Sequence, residues 1–133
     1  MKMNLMKQKL TYTVDQAERK HYAIGSIAVI NSSNAVYYLL AISTFDEQNI
    51  AHSTEYDIRK AVLSLLKFYN RYGNGYPLYL PLLGTGRSRA ALSFQASFDL
   101  IREEMMDNIQ LLQGQITIVA SKEAMNDLKM EVD

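Results

Sequence analysis

One short stretch of the sequence combines residue types that can hold a phosphate group. It follows the apolar residues 80–83 and consists of Gly84, Thr85, Gly86, Arg87, Ser88 and Arg89. Glycines let backbone N–H groups converge on an anion, hydroxyls add donors, and arginines can clamp phosphate oxygens. In the alternative interpretation the glycines only permit a tight turn and both arginines point into solvent. The loop lacks the Walker lysine and the complete dinucleotide fingerprint, so classical NTPase or dehydrogenase chemistry is not expected.

A second group of residues offers acid–base chemistry. Asp46 and Glu47 are adjacent carboxylates, and His52 follows in the same polar segment. They could act as general acid and base. Adjacent side chains usually point to different sides, however, so binding by one and solvation of the other is the alternative. The sequence has no cysteine and only two histidines, which are far apart. Since thiolates and clustered ligands are lacking, we expect no metal, no cofactor and no catalytic residue.

The composition indicates one globular domain. The chain has 133 residues, of which 48% are hydrophobic, and its formal net charge is +0. A core of ordinary size is therefore possible, and no overall field attracts the protein to nucleic acid or to an anionic membrane. The longest apolar run, residues 35–42, is too short to span a bilayer. We expect a soluble, cytoplasmic protein that binds neither nucleic acid nor membrane.

Hydrophobic patterning predicts a hairpin followed by alternating helices and strands. Residues 27–30 and 36–43 are rich in β-branched and aromatic side chains and are separated by the turn sequence NSSN. Thr54 and Asp57 match a capping box, which begins an amphipathic helix that runs to Gly73. The remaining predicted elements are strands at 78–83 and 116–120, a helix capped by Ser93, and a short helix at 122–130.

This order of elements predicts the α/β class, as a three-layer α/β/α sandwich around a mixed sheet. The strand 36–43 is apolar on both faces, so we expect helices on both sides of it. One face of the second helix is predicted to be buried through apolar residues at helical spacing, namely Phe94, Phe98, Ile101, Met105 and Ile109. Ligands bind such sheets beyond the carboxyl ends of the strands, which is where the loop 84–89 lies.

Three segments of the sequence together resemble a known family. They are IGS before a strand, LLAISTFDEQNIA at the end of the hairpin, and PLLGTGRSR before a helix. The combination resembles the macro domain at the C-terminus of effector proteins of the bacterial Thoeris anti-phage system, over residues 21–120. The resemblance implies a macro-domain fold that senses ADP-ribose or another NAD-derived nucleotide, made as a signal by a partner TIR-domain enzyme.

The resemblance also implies a set of ligand-binding residues. The diphosphate and its adjacent ribose would be held by the glycine loop, that is, Gly84, Thr85, Gly86, Arg87 and Ser88. Phe45 and Asp46 would border the same cleft, and Arg89 would be a further phosphate clamp beside Arg87.

The first twenty residues depart from the pattern of this family. They contain neither the opening strand and loop with an acidic residue that grips adenine, nor the asparagine-bearing loop of hydrolytic members. A divergent short form, a fragment, or a domain completed by another chain would each account for this. We therefore predict an N-terminal arm or edge strand at 1–20 and a macro-like α/β domain at 21–133. An open sheet edge invites pairing, so a homodimer or completion by another chain is expected.

Three functions are compatible with these observations. The first is a non-catalytic binding module for an ADP-ribose-type nucleotide in anti-phage defence. The second is a hydrolase of ADP-ribosyl bonds or nucleotides, for which Asp46 or His52 would supply the base. The third is an interaction protein that has lost its ligand and dimerises through the open edge.

Overall fold

Strands and helices alternate along most of the chain. The computed structural model describes residues 2–4, 12–14, 20–86 and 90–129. The strands in these ranges are β1 (Lys2–Asn4), β2 (Tyr12–Val14), β3 (Lys20–Tyr22), β4 (Ile27–Asn31), β5 (Val36–Leu40), β6 (Thr44–Phe45), β7 (Ala51–His52), β8 (Leu78–Pro81) and β9 (Ile116–Val119). The helices are α1 (Glu55–Tyr72), α2 (Phe94–Asp107) and α3 (Lys122–Asp127), with a 3₁₀ helix at Ile109–Leu111. This confirms the predicted α/β class.

The described strands pair in both directions, in four separate small sheets that are each either antiparallel or parallel. β4 and β5 form the expected antiparallel hairpin, and β1 pairs with the other side of β4. β2 pairs with β3 and β6 with β7, both antiparallel. β8 and β9 are parallel, and α2 lies in the connection between them. Parallel strands require such a crossover, which accounts for the position of α2.

Helix α1 begins and ends as its sequence predicts. The hydroxyl of Thr54 accepts a hydrogen bond from the N–H of Asp57, whose carboxylate accepts one from the N–H of Thr54. This reciprocal capping box satisfies two backbone donors that the first turn would otherwise leave without a partner. Gly73 closes the last turn through a hydrogen bond from its N–H to the carbonyl of Tyr69. The apolar face between these ends supplies half of the buried hydrophobic residues that the structure describes.

Helix α2 buries only part of the predicted face: Ile101 is fully buried and Met105 packs against the core, whereas Phe94 and Phe98 are partly exposed. Ser93 caps it as expected, through a hydrogen bond from the N–H of Ala96. Its buried residues, however, are Ser97, Leu100 and Ile101. The helix ends at Asp107, and Ile109 belongs to the 3₁₀ helix with 58% of its surface exposed. The prediction was incomplete because it left out Leu100, and because an apolar pattern does not identify a serine such as Ser97 within a buried face.

The predicted burial of both faces of the second hairpin strand is wrong. Tyr38 contacts the core, since its ring meets that of Phe68 on α1 at a centroid distance of 5.1 Å. Tyr37 and Leu39, which point the other way, are each 50% exposed. Tyr79 on β8 is also exposed, to 67%. The alternation of side chains along a strand determines which residues share a face, but not whether another element covers that face.

Candidate functional site

Two loops that follow strands meet at the first turn of α1. The loop after β5 is held by the Ser53 hydroxyl, which donates to the carbonyl of Ile42 at 2.7 Å. The loop after β8 reaches the same turn, because a Cβ placed on Gly84 would lie 3.1 Å from Cγ1 of Ile58. The structure therefore brings the segment that carries Phe45 and Asp46 and the start of the glycine loop to the same end of α1.

Gly84 is required by the fold itself. Its φ is +76°, in the region that favours glycine. A Cβ there would also lie 3.0 Å from Cδ1 of Leu92 and 3.3 Å from Cβ of Ala90. The N–H of Leu92 donates to the carbonyl of Gly84 at 3.0 Å, which ties the returning chain to the strand end. The hydrogen bond between Gly84 and Leu92 therefore closes the base of the loop, and this residue pair is called the neck of the loop below.

Gly86 differs from Gly84 in both respects. Its φ does not lie in the left-handed region, and a Cβ built on it has no neighbour within 4 Å among the described atoms. The prediction that both glycines supply torsions closed to other residues is therefore wrong for Gly86. Thr85 is partly buried and Gly86 is exposed. Arg87, Ser88 and Arg89 lie outside the described residues.

A buried serine anchors the base of the loop. Ser97 on α2 is 0% exposed, and its hydroxyl donates to the carbonyl of Leu83 at 2.6 Å. The same hydroxyl accepts a hydrogen bond from the N–H of Leu83 at 2.9 Å. Leu83 immediately precedes Gly84, so both polar backbone groups at the loop entry are bonded to α2. The sequence signal for this contact is weak, because a serine within an amphipathic helix is normally placed on the solvent side.

Asp46 holds the β6–β7 hairpin together. One carboxylate oxygen accepts hydrogen bonds from the N–H groups of Gln48 and Ile50, each at 2.9 Å. The other lies 2.8 Å from Nε2 of His52. The hydrogen bond with His52, followed by that from Ile50, lowers the pKa of Asp46 below its ordinary value. Phe45 stands beside this carboxylate and is 50% exposed. The structure thus places Asp46 and His52 in direct contact, whereas the sequence suggested each of them only as a separate candidate.

A cavity that the sequence did not predict opens at the end of the β4–β5 hairpin. Its volume is about 240 Å³. Its lining is mainly apolar and consists of Tyr22, Ser26, Ile27, Ala28, Leu39, Leu40 and Ala41. Pockets for whole drug-sized ligands measure about 300–1,000 Å³, so this one has room for a single part of such a ligand. Of the motifs identified in the sequence, the IGS segment and the start of LLAISTFDEQNIA lie at this cavity, and both indicated a family resemblance rather than a cavity.

The cavity and the glycine loop are linked through a short path. Hydrogen bonds at 2.8 and 2.9 Å join Gly25 and Ser26 to Ala41, at the rim of the cavity. Ile42 follows directly and accepts the hydrogen bond from Ser53, just before the first turn of α1. That turn carries Ile58, which contacts the site of Gly84. The rim of the cavity is therefore connected to the start of the glycine loop through the segment that leads into α1.

The residues that the structure describes, 2–4, 12–14, 20–86 and 90–129, offer neither a metal site nor a membrane-spanning helix. In these ranges no three histidine, aspartate or glutamate side chains are grouped so that they could hold a metal ion. None of the helices described there combines the length and the apolar character of a membrane span.

A comparison with models of known protein families gives a match. The family model described as "Thoeris protein ThsA, Macro domain" matches residues 2–121. It therefore includes the glycine loop, the β6–β7 hairpin and the cavity, and it begins earlier than the resemblance at residues 21–120. A search of curated proteins found no match.

Proposed function

Since the chain belongs to the macro domain family of the Thoeris protein ThsA, we propose that it is a non-catalytic sensor of an ADP-ribose-type nucleotide. In this role it recognises an NAD-derived signal in the cytoplasm during anti-phage defence. The observation that carries the proposal is the glycine loop, which has a fixed neck at Gly84 and open space around Gly86. Such a loop gives an anion access to backbone N–H groups while its ends stay in place.

The diphosphate is the part of the ligand that the loop suits best. Gly86 has no side chain, and none of the described residues lies within 4 Å of a Cβ built on it, so a phosphate can approach its backbone. Thr85, Arg87, Ser88 and Arg89 add hydroxyl and guanidinium donors in the proposed site. The capped N-terminus of α2 follows the loop, and its partial positive charge favours an anion nearby.

The remaining parts of the ligand have two apolar surfaces available. Phe45 offers an exposed ring on the hairpin that Asp46 holds, and we assign Asp46 to the site in this supporting role. The cavity lined by Tyr22 and Leu39 could enclose one ring system of the nucleotide. Apolar lining with few polar groups is the usual character of such pockets.

Calorimetry with ADP-ribose tests the proposal. We expect the wild-type protein to bind and Gly86→Glu to lose binding, because a carboxylate in the loop repels the diphosphate. Met106→Glu is the matched control, since it adds the same charge at an exposed position in the last turn of α2. It should bind like the wild type. No heat with the wild type, or full affinity in Gly86→Glu, would contradict the proposal.

The Asp46–His52 pair supports a second candidate, hydrolysis of an ADP-ribosyl or nucleotide bond. A histidine bonded to a carboxylate through one ring nitrogen can use the other as a general base. The sensor is favoured because this carboxylate already accepts two backbone hydrogen bonds that close an exposed hairpin. Mass spectrometry of ADP-ribose and ADP-ribosylated peptide after incubation separates the two. If the wild-type protein leaves both substrates unchanged, the hydrolase is rejected. If the wild type forms a product and His52→Gln does not, the non-catalytic role is rejected.

We also propose that the domain assembles with a second copy or is completed by another chain. Among the described strands, β5 pairs with β4 on one side and with no strand on the other. Val36 and Tyr37 on this strand are 57% and 50% exposed. Edges with these properties favour pairing with another chain.

A further inference from the structure

Ser97 is unusual because it places a polar side chain on the buried face of α2, where an apolar side chain is expected. Among the side chains that the structure describes, it is the one polar residue that is buried, with 0% of its surface exposed. Burying a hydroxyl costs free energy unless it is hydrogen-bonded, and alanine forms helices more readily than serine. An alanine would also fit, since it is smaller. The hydroxyl must therefore contribute something that the packing of α2 does not need.

Its contribution lies at the entry to the glycine loop. β8 ends at Pro81, so the backbone of Leu83 has left the strand, yet this residue is only 9% exposed. Buried N–H and C=O groups need partners, and the Ser97 hydroxyl serves both groups of Leu83, at 2.9 and 2.6 Å. A single side chain on α2 thus fixes the peptide groups on both sides of Leu83.

The exit of the loop is also fixed. The N–H of Leu92 bonds to the carbonyl of Gly84, and Ala91 holds a φ of +54°, which is unusual for a residue with a side chain. Ser93, the cap of α2, comes next. The entry and exit of the loop are therefore both attached to the first turns of one helix. A loop held in this way has less conformational freedom to lose when it binds a ligand.

We propose that Ser97 is a positioning residue for the anion-binding loop: it ties the loop entry to α2 and so preorganises the backbone donors of residues 84–86. The inference rests on the proposed function, since it concerns the affinity of the same site. Ser97 itself is buried and does not touch the ligand. A merely structural serine would affect the free energy of unfolding but not the affinity of the folded protein.

The test compares Ser97→Ala with a control that weakens the same helix elsewhere. Ile101→Val removes one methylene group from the fully buried Ile101, one turn further along α2, whose apolar side chain makes no hydrogen bond to the loop. Ser97→Thr keeps the hydroxyl. Two quantities are measured for each protein under conditions where it is folded. They are the ADP-ribose Kd by calorimetry and the amide hydrogen-exchange rate of Leu92, whose partner Gly84 lies across the neck.

We expect Ser97→Ala to raise the Kd about tenfold, as loss of preorganisation does, and to accelerate exchange at Leu92. Ile101→Val should change neither, and Ser97→Thr should restore both towards the wild type. A wild-type Kd in Ser97→Ala, or equal exchange rates in Ser97→Ala and Ile101→Val, overturns the inference. If the wild type does not bind ADP-ribose, the proposed function fails, and the exchange rates alone decide whether Ser97 positions the loop.

Discussion

The two glycines of the loop illustrate how identical residues can have different physical roles. Gly84 has a positive φ and three close neighbouring atoms, whereas Gly86 has no positive φ and no close neighbour among the residues that the structure describes. We expect Gly84→Ala to lower the free energy of unfolding by about 2–4 kcal/mol, from backbone strain and overpacking together. Gly86→Ala should change it by less than about 0.5 kcal/mol. Urea unfolding of both variants measures this, and equal losses would contradict the assignment.

Asp46 makes the stability of the protein depend on pH. Its hydrogen bonds with His52 and the backbone lower its pKa in the folded state. A carboxyl whose pKa is lowered by folding stabilises the protein above its unfolded pKa, and this contribution is lost as the pH falls through the folded pKa. The stability difference between wild type and Asp46→Asn should therefore be constant at neutral pH and shrink below about pH 4.

The measurement is urea unfolding of both proteins from pH 7 to pH 3. Glu47→Gln is the matched control, because it removes the same charge at the adjacent, exposed position. Its stability should follow the wild-type curve at every pH. A difference between wild type and Asp46→Asn that grows on acidification would show that the carboxylate does not stabilise the hairpin.

Single residues were predictable from the sequence where their role is local. Thr54, Asp57 and Ser93 cap helices through partners three residues away, so their spacing alone identified them. Ser97 could not be identified in this way, because its partner Leu83 lies outside the helix. The pairing of Asp46 with His52 also depends on a hairpin whose strands have only two residues each.

At the scale of elements, Arg59 joins the two long helices. Its guanidinium lies 3.2 Å from Glu55 on its own helix, and 2.8 and 3.4 Å from Glu103 and Glu104 on α2. The first contact follows from helical spacing, whereas the other two exist only because α1 and α2 pack together. This contact matters for the site because α1 carries Ile58 and α2 carries Ser97, on either side of the glycine loop.

We expect Arg59→Gln to destabilise the protein by about 1 kcal/mol at low salt, since three carboxylates lose their common partner in a half-exposed network. The loss should be smaller at about 1 M salt, where the Debye length is about 3 Å. Urea unfolding at both salt concentrations measures it. Lys67→Gln on the exposed side of α1 is the control and should have little effect. A loss that does not depend on salt would exclude an electrostatic origin.

For the whole molecule, the sequence predicted the order of the elements better than it predicted which of their faces are buried. The β4–β5 hairpin, the strands β8 and β9 and the three helices follow from local patterns and turns, and all are present. The exposed faces of Tyr37 and Tyr79 were not predictable, because an apolar strand face does not specify what covers it. The cavity depends on the meeting of three strand ends, which no short pattern encodes.

The exposed edge of β5 leads to the last prediction, which concerns assembly. Two copies paired through this edge would be related by a two-fold axis, and Tyr37 would lie in the interface. Light scattering after size exclusion should then give twice the chain mass of 15.2 kDa. Tyr37→Lys should give the single mass, because a lysine on an edge strand opposes pairing, whereas Met106→Lys at an exposed position of α2 should leave the dimer intact. A wild-type protein that is monomeric at every concentration and still binds ADP-ribose would exclude pairing between copies.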